Sequence, residues 1–584
     1  MTDTCLNIIT QLTVELHKDD ISKEKLGTGV LYTNRKLSGV VYVLTAKHCL
    51  SKLGEKGRVS LRIYNPDTST YEYVTPVKQS ILLHPVDDAG IIIINKRELA
   101  SVVSDLPSVY VVDKNFGTDE AVSKGFPVAT LNQTNENGES SLAMIRMTYL
   151  HEDITENVFQ LSTNDDYSED TIVGMSGSGI FIEACEELYI NGIFIRYTDE
   201  ERGKVISAQR LISFNKLLEE EYKKKMSLSF LGHHGLGHKT LKNNVEDSVA
   251  NLGPRYCQKV NVRTGTAKYF NCVAKTPAYF ERLYRNIDSW LTEKSYRTRK
   301  DSNRIGQLES HLKAIRDDFT VALSNLDQRV DAIIDLSSLM KRVESLQNEL
   351  EEVRHRFYSD YSSTKKDDNV RKELEADEAR LLEISQDLYS FTENFEDLKI
   401  NLANNPYLII KGEAGCGKSH LLGDVASKRI DDGLPTLLFL GTDFAEETYE
   451  TTITSKVGFV GTFREFLSSF NQIGTQVGSR ALLMIDALNE GPQAVLWKDR
   501  LSGLIKSLKD YPAIGLVVSV RDTYFDDVIP DGVETDSGAT VIEHKGFKGL
   551  EYEAVRQFCL AYELNLPNVP ILTPEFCNPL FLKI

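Results

Sequence analysis

Leu408-Ile409-Ile410-Lys411-Gly412-Glu413-Ala414-Gly415-Cys416-Gly417-Lys418-Ser419 decides how the C-terminal part of this chain folds. The apolar run predicts a buried strand. The glycines after it let backbone N–H groups curl around the phosphates of a nucleotide. Lys418 brings a point charge to the β- and γ-phosphates, and Ser419 offers its hydroxyl to Mg2+. A helix expected from about Ser419 to Ser427 directs its positive end at the same place.

Downstream, Leu437–Gly441, Leu482–Asp486 and Gly515–Arg521 are further short apolar runs separated by helical segments. That pattern predicts an α/β unit with a parallel sheet covered on both faces. Leu482-Leu-Met-Ile delivers Asp486 to the carboxyl end of its strand, where it can hold Mg2+ through water. Glu490 either orients the attacking water or is a surface-loop carboxylate. Arg521 ends the next strand, where it either senses the γ-phosphate or pairs with a neighbouring acid such as Asp522.

Upstream the pattern differs. Residues 1–225 are short β-rich runs between turns, among them Gly39–Leu44, Gly90–Ile94 and Gly179–Ile182, and predict an all-β barrel or sandwich. A helix containing Leu217–Lys225 is expected to close it, with i,i+4 pairing between its Glu and Lys runs. Residues 226–295 are a less regular connector. Its His233, His234 and His238 lie among glycines without a carboxylate or cysteine at ligand spacing, so a surface loop is expected rather than a metal site. In the helical region 296–396, Leu336, Leu339, Val343, Leu346, Leu350, Val353 and Phe357 form an apolar stripe. A helical hairpin or small bundle is favoured over an intermolecular coiled coil. Residues 397–560 form the α/β core, and 561–584 begin a further helical domain.

Composition bounds the function. The 584 residues are 41% hydrophobic and 26% charged, as in ordinary globular chains. A net charge of −18 argues against direct nucleic-acid binding. No run is long enough for a membrane span, and Met1-Thr-Asp-Thr-Cys-Leu-Asn7 lacks the features of a secretory signal. The cysteines, eight in all, are scattered without zinc or redox spacing, which points to reduced thiols and the cytoplasm.

The C-terminal segment resembles the STAND class of signalling ATPases, the group of the NACHT and NB-ARC switches. The resemblance rests on Gly412–Ser419, Asp486-Ala-Leu-Asn-Glu490 and Arg521, and on Thr573-Pro-Glu-Phe-Cys-Asn-Pro579. It implies ATP and Mg2+ as ligands and a contact of Pro579 with adenine. The family usually has Gly-Leu-Asp-Glu where this chain has Ala-Leu-Asn-Glu, a departure that bears on turnover rather than binding.

The N-terminal part resembles trypsin-like serine proteases and implies a chymotrypsin-like double barrel. The matching motifs are Thr45-Ala-Lys-His48-Cys49, Asp88 before Ala-Gly-Ile-Ile-Ile, and Gly174-Met-Ser176-Gly-Ser-Gly179. His48 would take the Ser176 proton, Asp88 would orient the imidazole with Asp87 as the fallback acid, and the N–H groups of Gly174 and Ser176 would face the oxyanion. Cys49 lacks the upstream cysteine that secreted relatives pair with it. Thr171 resembles a residue of glutamate-specific relatives, but Phe194 replaces their second determinant, and Arg196 is a weak substitute.

Protease, connector, helical region and ATPase in this order resemble bacterial antiviral STAND proteins, whose connectors have a motif like Asn251-Leu-Gly-Pro-Arg-Tyr256. The resemblance implies homo-oligomerisation on activation, a foreign phage protein as trigger and a protein substrate. The trigger would be read by a C-terminal sensor, and since the chain ends at Pro579-Leu-Phe-Leu-Lys-Ile584, a continuation beyond Ile584 is expected. Two alternatives stand beside it: an ATP-driven housekeeping protease, and a switch with a non-catalytic peptide-binding N-terminal domain.

Overall fold

The computed structural model describes the chain apart from residues 20–23, 34–38, 54–56, 101, 104–105, 108, 114–119, 128–140, 154–156, 164–171, 201–202, 227, 233, 258–261, 263, 292–302, 364–367, 397–398, 446–447, 493, 567–576 and 580–584. Thr171, His233, most of the segment before Pro579 and the terminal Leu580–Ile584 therefore lie outside the described residues, as does the Phe357 side chain. Two compact units form. One holds residues 1–243, 429–434 and 457–461, and the other residues 244–428, 435–456 and 462–584.

The first unit is all-β in its sheets. β1 (Thr13–Lys18), β2 (Lys25–Tyr32), β3 (Val40–Thr45), β4 (Val59–Asn65), β5 (Thr70–Val74), β6 (Gln79–Leu83) and β7 (Gly90–Asn95) make an antiparallel sheet of order β5-β4-β1-β2-β3-β7-β6. β3 and β7 pair from Val40↔Asn95 to Thr45↔Gly90, so the β-branched residues of both strands enter one core. No backbone ladder joins β5 to β6 among the described residues. Instead Gln79 Oε1 accepts from Val59 N at 2.9 Å and its Nε2 donates to Val59 O at 3.2 Å, so one amide side chain ties β6 back to β4.

The second sheet closes on itself. It contains β8 (Tyr110–Val111), β9 (Ala121–Gly125), β10 (Ala143–Asp153), β11 (Val158–Ser162), β12 (Gly179–Ala184), β13 (Glu187–Glu200) and β14 (Gly203–Arg210), in the order β12-β9-β10-β11-β14-β13-β8. β12 also pairs with β13, and the six strands from β9 to β14 form a closed barrel.

Two expectations for this unit need correction. The terminal helix is Leu211–Glu220, so the Lys223–Lys225 run lies beyond its end, and Lys225 reaches Glu219 at 2.9 Å across a turn. His238 is not on a surface loop. It is buried against Tyr110 and Phe230 at the start of the helix His238–Leu252, and burial pulls its pKa down to about 4. The buried carboxylate of Glu187 accepts the first N–H groups of that helix, from His238 at 2.9 Å and Lys239 at 2.6 Å. Residues 226–243 thus belong with the β-rich part, with Met226 in its core.

In the second unit the apolar stripe folds inward. The helix Ser337–Ser363 packs on Asn303–Ser324 and Asp368–Glu396. Leu339, Val343, Leu346 and Leu350 are buried, Val353 is half-buried, and Phe319 meets Phe391 edge to face. A small bundle, rather than a two-helix hairpin, results.

The parallel sheet comprises β15 (Tyr407–Gly412), β16 (Thr436–Leu440), β17 (Ala481–Asp486), β18 (Ile514–Arg521) and β19 (Thr540–Glu543), in the order β16-β17-β18-β15-β19. β18 lies between β15 and β17, so the carboxyl ends of three neighbours present Gly412, Arg521 and Asp486 together. Such ends are where open parallel sheets take ligands.

Leu346 is 2% exposed, so Leu346→Ala removes packing worth about 2–5 kcal/mol. Hydrogen exchange should speed up across Ser337–Ser363 while β9–β14 keep their protection; equal rates in both proteins would refute the bundle core.

Candidate functional site

Two clusters of chemistry-bearing residues stand out, one in each unit. In the first, His48 opens the short helix Lys47–Leu50 after β3, and Asp88 lies in the turn between β6 and β7. His48 Nδ1 is 2.7 Å from Asp88 Oδ2, and the His48 N–H donates to Asp88 Oδ1 at 3.0 Å. The pair raises the His48 pKa to about 10, the Asp88 hydrogen bond being the largest cause. For Asp88, burial pushes upward but the bonds from His48 outweigh it, and its pKa is lowered.

Asp87 faces elsewhere. Its Oδ2 accepts from Ser213 Oγ at 2.6 Å and Asn157 Nδ2 at 3.1 Å. Gln209 supports the turn by accepting from Asp88 N at 3.1 Å and donating to Asn157 O at 2.8 Å. Of the two acids, Asp88 is the one on the imidazole.

Ser176 comes from the second sheet, in the turn before β12. Thr28 of β2 holds this turn from the first sheet. Its N–H donates to Ser176 O at 2.9 Å, its hydroxyl donates to Gly174 O at 2.8 Å, and its own carbonyl accepts from Thr45 Oγ1 at 2.7 Å. Cys49 Sγ also reaches Ser176 O at 3.4 Å. Gly177 has φ +92°, and a Cβ there would lie 1.9 Å from Thr28 O, so the approach requires glycine.

Met175 N donates to Ile172 O and Gly177 N to Phe194 O, whereas the N–H groups of Gly174 and Ser176 donate no hydrogen bond among the described residues. No hydrogen bond joins Ser176 Oγ to His48 among them either. Phe194 is 1% exposed in the barrel core and Arg196 is exposed beyond a register shift in β13, so neither makes a specificity pocket with the other.

The second cluster lines a cavity of about 320 Å3 at the end of the parallel sheet. Ala414, Gly415, Cys416, Gly417, Lys418 and Ser419 form one wall, and Asp486, Glu490, Arg521 and Pro579 contribute others. Gly412 and Glu413 are at the base of the loop, where their carbonyls accept from Lys418 Nζ at 2.7 and 2.9 Å. Asp486 is 1% exposed. Its Oδ1 accepts from Ser519 Oγ at 2.6 Å, while the buried Oδ2 has no hydrogen-bond partner among the described residues. Burial raises its pKa, opposed by the hydroxyls of Ser419 and Ser519.

Arg521 does not choose Asp522. It donates to Glu490 Oε1 at 2.8 Å, and Arg255 takes the other oxygen at 2.8 Å. Pro579 lies against the loop, with its Cγ 3.0 Å from where a Gly417 Cβ would be.

Sequence reasoning assigned no site role to Thr28, Gln209, Arg255, Ser519 or His544, although Arg255 lies in the connector motif Asn251–Tyr256. His544, 3% exposed, lines the same cavity; its Nδ1 is 2.9 Å from Thr266 Oγ1, and burial lowers its pKa to about 4. No spacing marks these five, because their roles come from strand neighbours distant in sequence. Scanned against known protein families and against curated proteins, the chain finds no match.

Two outcomes follow from the first cluster. Thr28→Val keeps the shape but leaves Gly174 O and the Phe126 N–H, which bonds the Thr28 hydroxyl at 3.2 Å, without partners; a loss of about 1–3 kcal/mol is expected in denaturant unfolding of this unit. Histidine-selective NMR should show His48 protonated at pH 8 in the parent and titrating near the ordinary value of about 6.5 in Asp88→Asn. The pair's contribution to stability is fully present below the unfolded histidine pKa and is lost as pH rises through about 10. At the acid end it is lost as pH falls through the lowered Asp88 value. A parent His48 already neutral at pH 8 would contradict this geometry.

Proposed function

We propose that this protein is a nucleotide-gated serine endopeptidase, a signalling protein of bacterial antiphage defence in which an ATP site licenses a trypsin-like site. The observation that carries the reading is the coexistence of two clusters in one chain: the His48–Asp88 pair with N–H groups at Gly174 and Ser176 that donate no hydrogen bond among the described residues, and the loop–carboxylate cavity of Lys418 and Asp486.

In the first site, Asp88 fixes the imidazole with Nδ1 as the proton donor and leaves Nε2 for Ser176. Ser176 Oγ would attack a peptide carbonyl while His48 takes its proton, and the Gly174 and Ser176 N–H groups would receive the negative charge on the carbonyl oxygen. His48 keeps its proton to high pH here, and Ser176 Oγ is not hydrogen-bonded to it among the described residues. Both features support a nucleophile that is off until a trigger arrives. The closed six-stranded barrel, preceded in the chain by a seven-stranded antiparallel sheet, supports the chymotrypsin-like reading.

The donor set of the second site fits ATP with Mg2+. A buried carboxylate oxygen without a hydrogen-bond partner is costly unless a cation or water meets it, and Asp486 Oδ2 with Ser419 is the oxygen pair that a hydrated Mg2+ takes. When bound, MgATP would supply the phosphoryl groups and the charge to which this cavity responds. Lys418 would exchange its two carbonyl contacts for phosphate oxygens, and Pro579 would border the base. By the same resemblance, a foreign phage protein would drive homo-oligomerisation and turn on cleavage of a protein substrate in the cytoplasm. Among the described residues, no helix is long and apolar enough to cross a membrane.

The test is cleavage profiling by mass spectrometry with ATP and candidate phage proteins. Trigger-dependent cleavage should vanish, by at least about a thousandfold in rate, in Ser176→Ala. Lys418→Ala should abolish the response to ATP. Cleavage that persists in Ser176→Ala would sink the protease assignment. Steady degradation of unfolded proteins without a trigger would favour a housekeeping protease instead.

A further inference from the structure

Two arginines meet on one carboxylate inside the cavity. Glu490 Oε2 accepts from Arg255 Nη1 and its Oε1 from Arg521 Nη2, each at 2.8 Å. The guanidiniums come from separate parts of the unit. Arg521 ends β18, whereas Arg255 ends the 3-10 turn Gly253–Arg255, which follows the helix His238–Leu252 in the connector.

The backbone under Glu490 is firmly set. Ala487 has φ +55°, its N–H donates to Ser519 Oγ at 2.8 Å, and Leu488 N donates to Ser519 O at 2.9 Å. Asn489 Oδ1 accepts from Arg521 N at 3.0 Å. With its backbone braced, the Glu490 carboxylate is placed by side-chain rotation and by the two cations it meets. Both of its oxygens accept from guanidiniums.

We propose that Arg255 is a positioning residue of the nucleotide site, one that acts through Glu490 by keeping this carboxylate parked until phosphate charge draws the guanidinium away. The inference rests on the ATP reading above and adds to it a regulatory contact from the connector. A polyphosphate beside Lys418 concentrates negative charge in a cavity that Arg255 and Arg521 also line. Phosphate oxygens take guanidinium N–H groups in the same forked geometry as a carboxylate and with more charge. Exchange of partner frees Glu490 to hold the attacking water. The Arg255 and Glu490 side chains are 41% and 22% exposed, so the bridge is a modest bias, as a switch that nucleotide can reverse requires. Pro254 stiffens the turn that carries Arg255, so partner exchange reports nucleotide state to the connector backbone.

The test uses the full chain, a fluorescent ATP analogue for binding, and phosphate release for turnover. Arg255→Met keeps the aliphatic stem and removes the charge. It should raise basal kcat by up to about fivefold, the upper range for a half-exposed ion pair, with a smaller change in KM. Arg255→Lys should fall between Met and parent, and it carries the same comparison should Arg255→Met fail to fold. In a Glu490→Gln background, which should be slow, Arg255→Met should add nothing, because the effect passes through that carboxylate.

An unchanged or lower kcat in Arg255→Met, with ATP binding still dependent on Lys418, would overturn the parking role alone. So would an equal gain in the Glu490→Gln background. Absence of Lys418-dependent ATP binding in the parent would overturn the nucleotide reading, and this proposal with it.

Discussion

Thr28 is the residue on which the first site depends. It is fully buried on β2, and its N–H, hydroxyl and carbonyl are all engaged. The N–H and hydroxyl hold the backbone of Ser176 and Gly174, which belong to the other sheet. His48 and Asp88 are fixed in the first sheet, so this seam, with the Cys49 Sγ contact to Ser176 O, ties the turn of the proposed nucleophile and oxyanion donors to the sheet that carries the imidazole. A buried hydroxyl must find partners, and here the partners are the peptide groups whose direction matters to the chemistry. The absence of a side chain at Gly177 is the matching condition, since any Cβ would strike the Thr28 carbonyl.

Ser519 has the corresponding place in the second site. One hydroxyl donates to Asp486 and accepts the N–H of Ala487, which fixes both the carboxylate and the turn that leads to Glu490. The strand order makes this possible, because β18 lies between the strand that leads into Gly412–Ser419 and the strand that carries Asp486. What the braces leave unsatisfied is informative. Asp486 Oδ2 is buried without a hydrogen-bond partner among the described residues, and Glu490 has two cations. This charge pattern is what the proposed loading with nucleotide and Mg2+ would change.

Much of the fold was legible before any coordinates. The apolar runs at Gly90–Ile94, Leu482–Asp486 and Gly515–Arg521 are strands because four or more consecutive apolar residues, many of them β-branched, bury both faces. β19 escaped notice because Thr540–Glu543 is a short edge strand with no buried run to betray it. His238 differs from expectation for a related reason: its glycine neighbours signal a loop, whereas Tyr110 and Phe230 supply a burial that local sequence does not record. Asp87 and Asp88 are adjacent and chemically identical, and their tertiary partners separate them: Ser213 and Asn157 for Asp87, His48 for Asp88.

Local motifs already define the two chemical inventories. Gly412–Ser419 with Asp486, and His48, Asp88 and Ser176 in order, are readable because each motif is local and its glycines have a stereochemical purpose. The tertiary structure decided how those groups are held: which acid meets the imidazole, which serine braces the aspartate, and that Glu490 is shared by Arg255 and Arg521. Such choices depend on neighbours hundreds of residues apart, such as Arg255 and Glu490, and strand order and hydrogen-bond demand, not periodicity, bring them together.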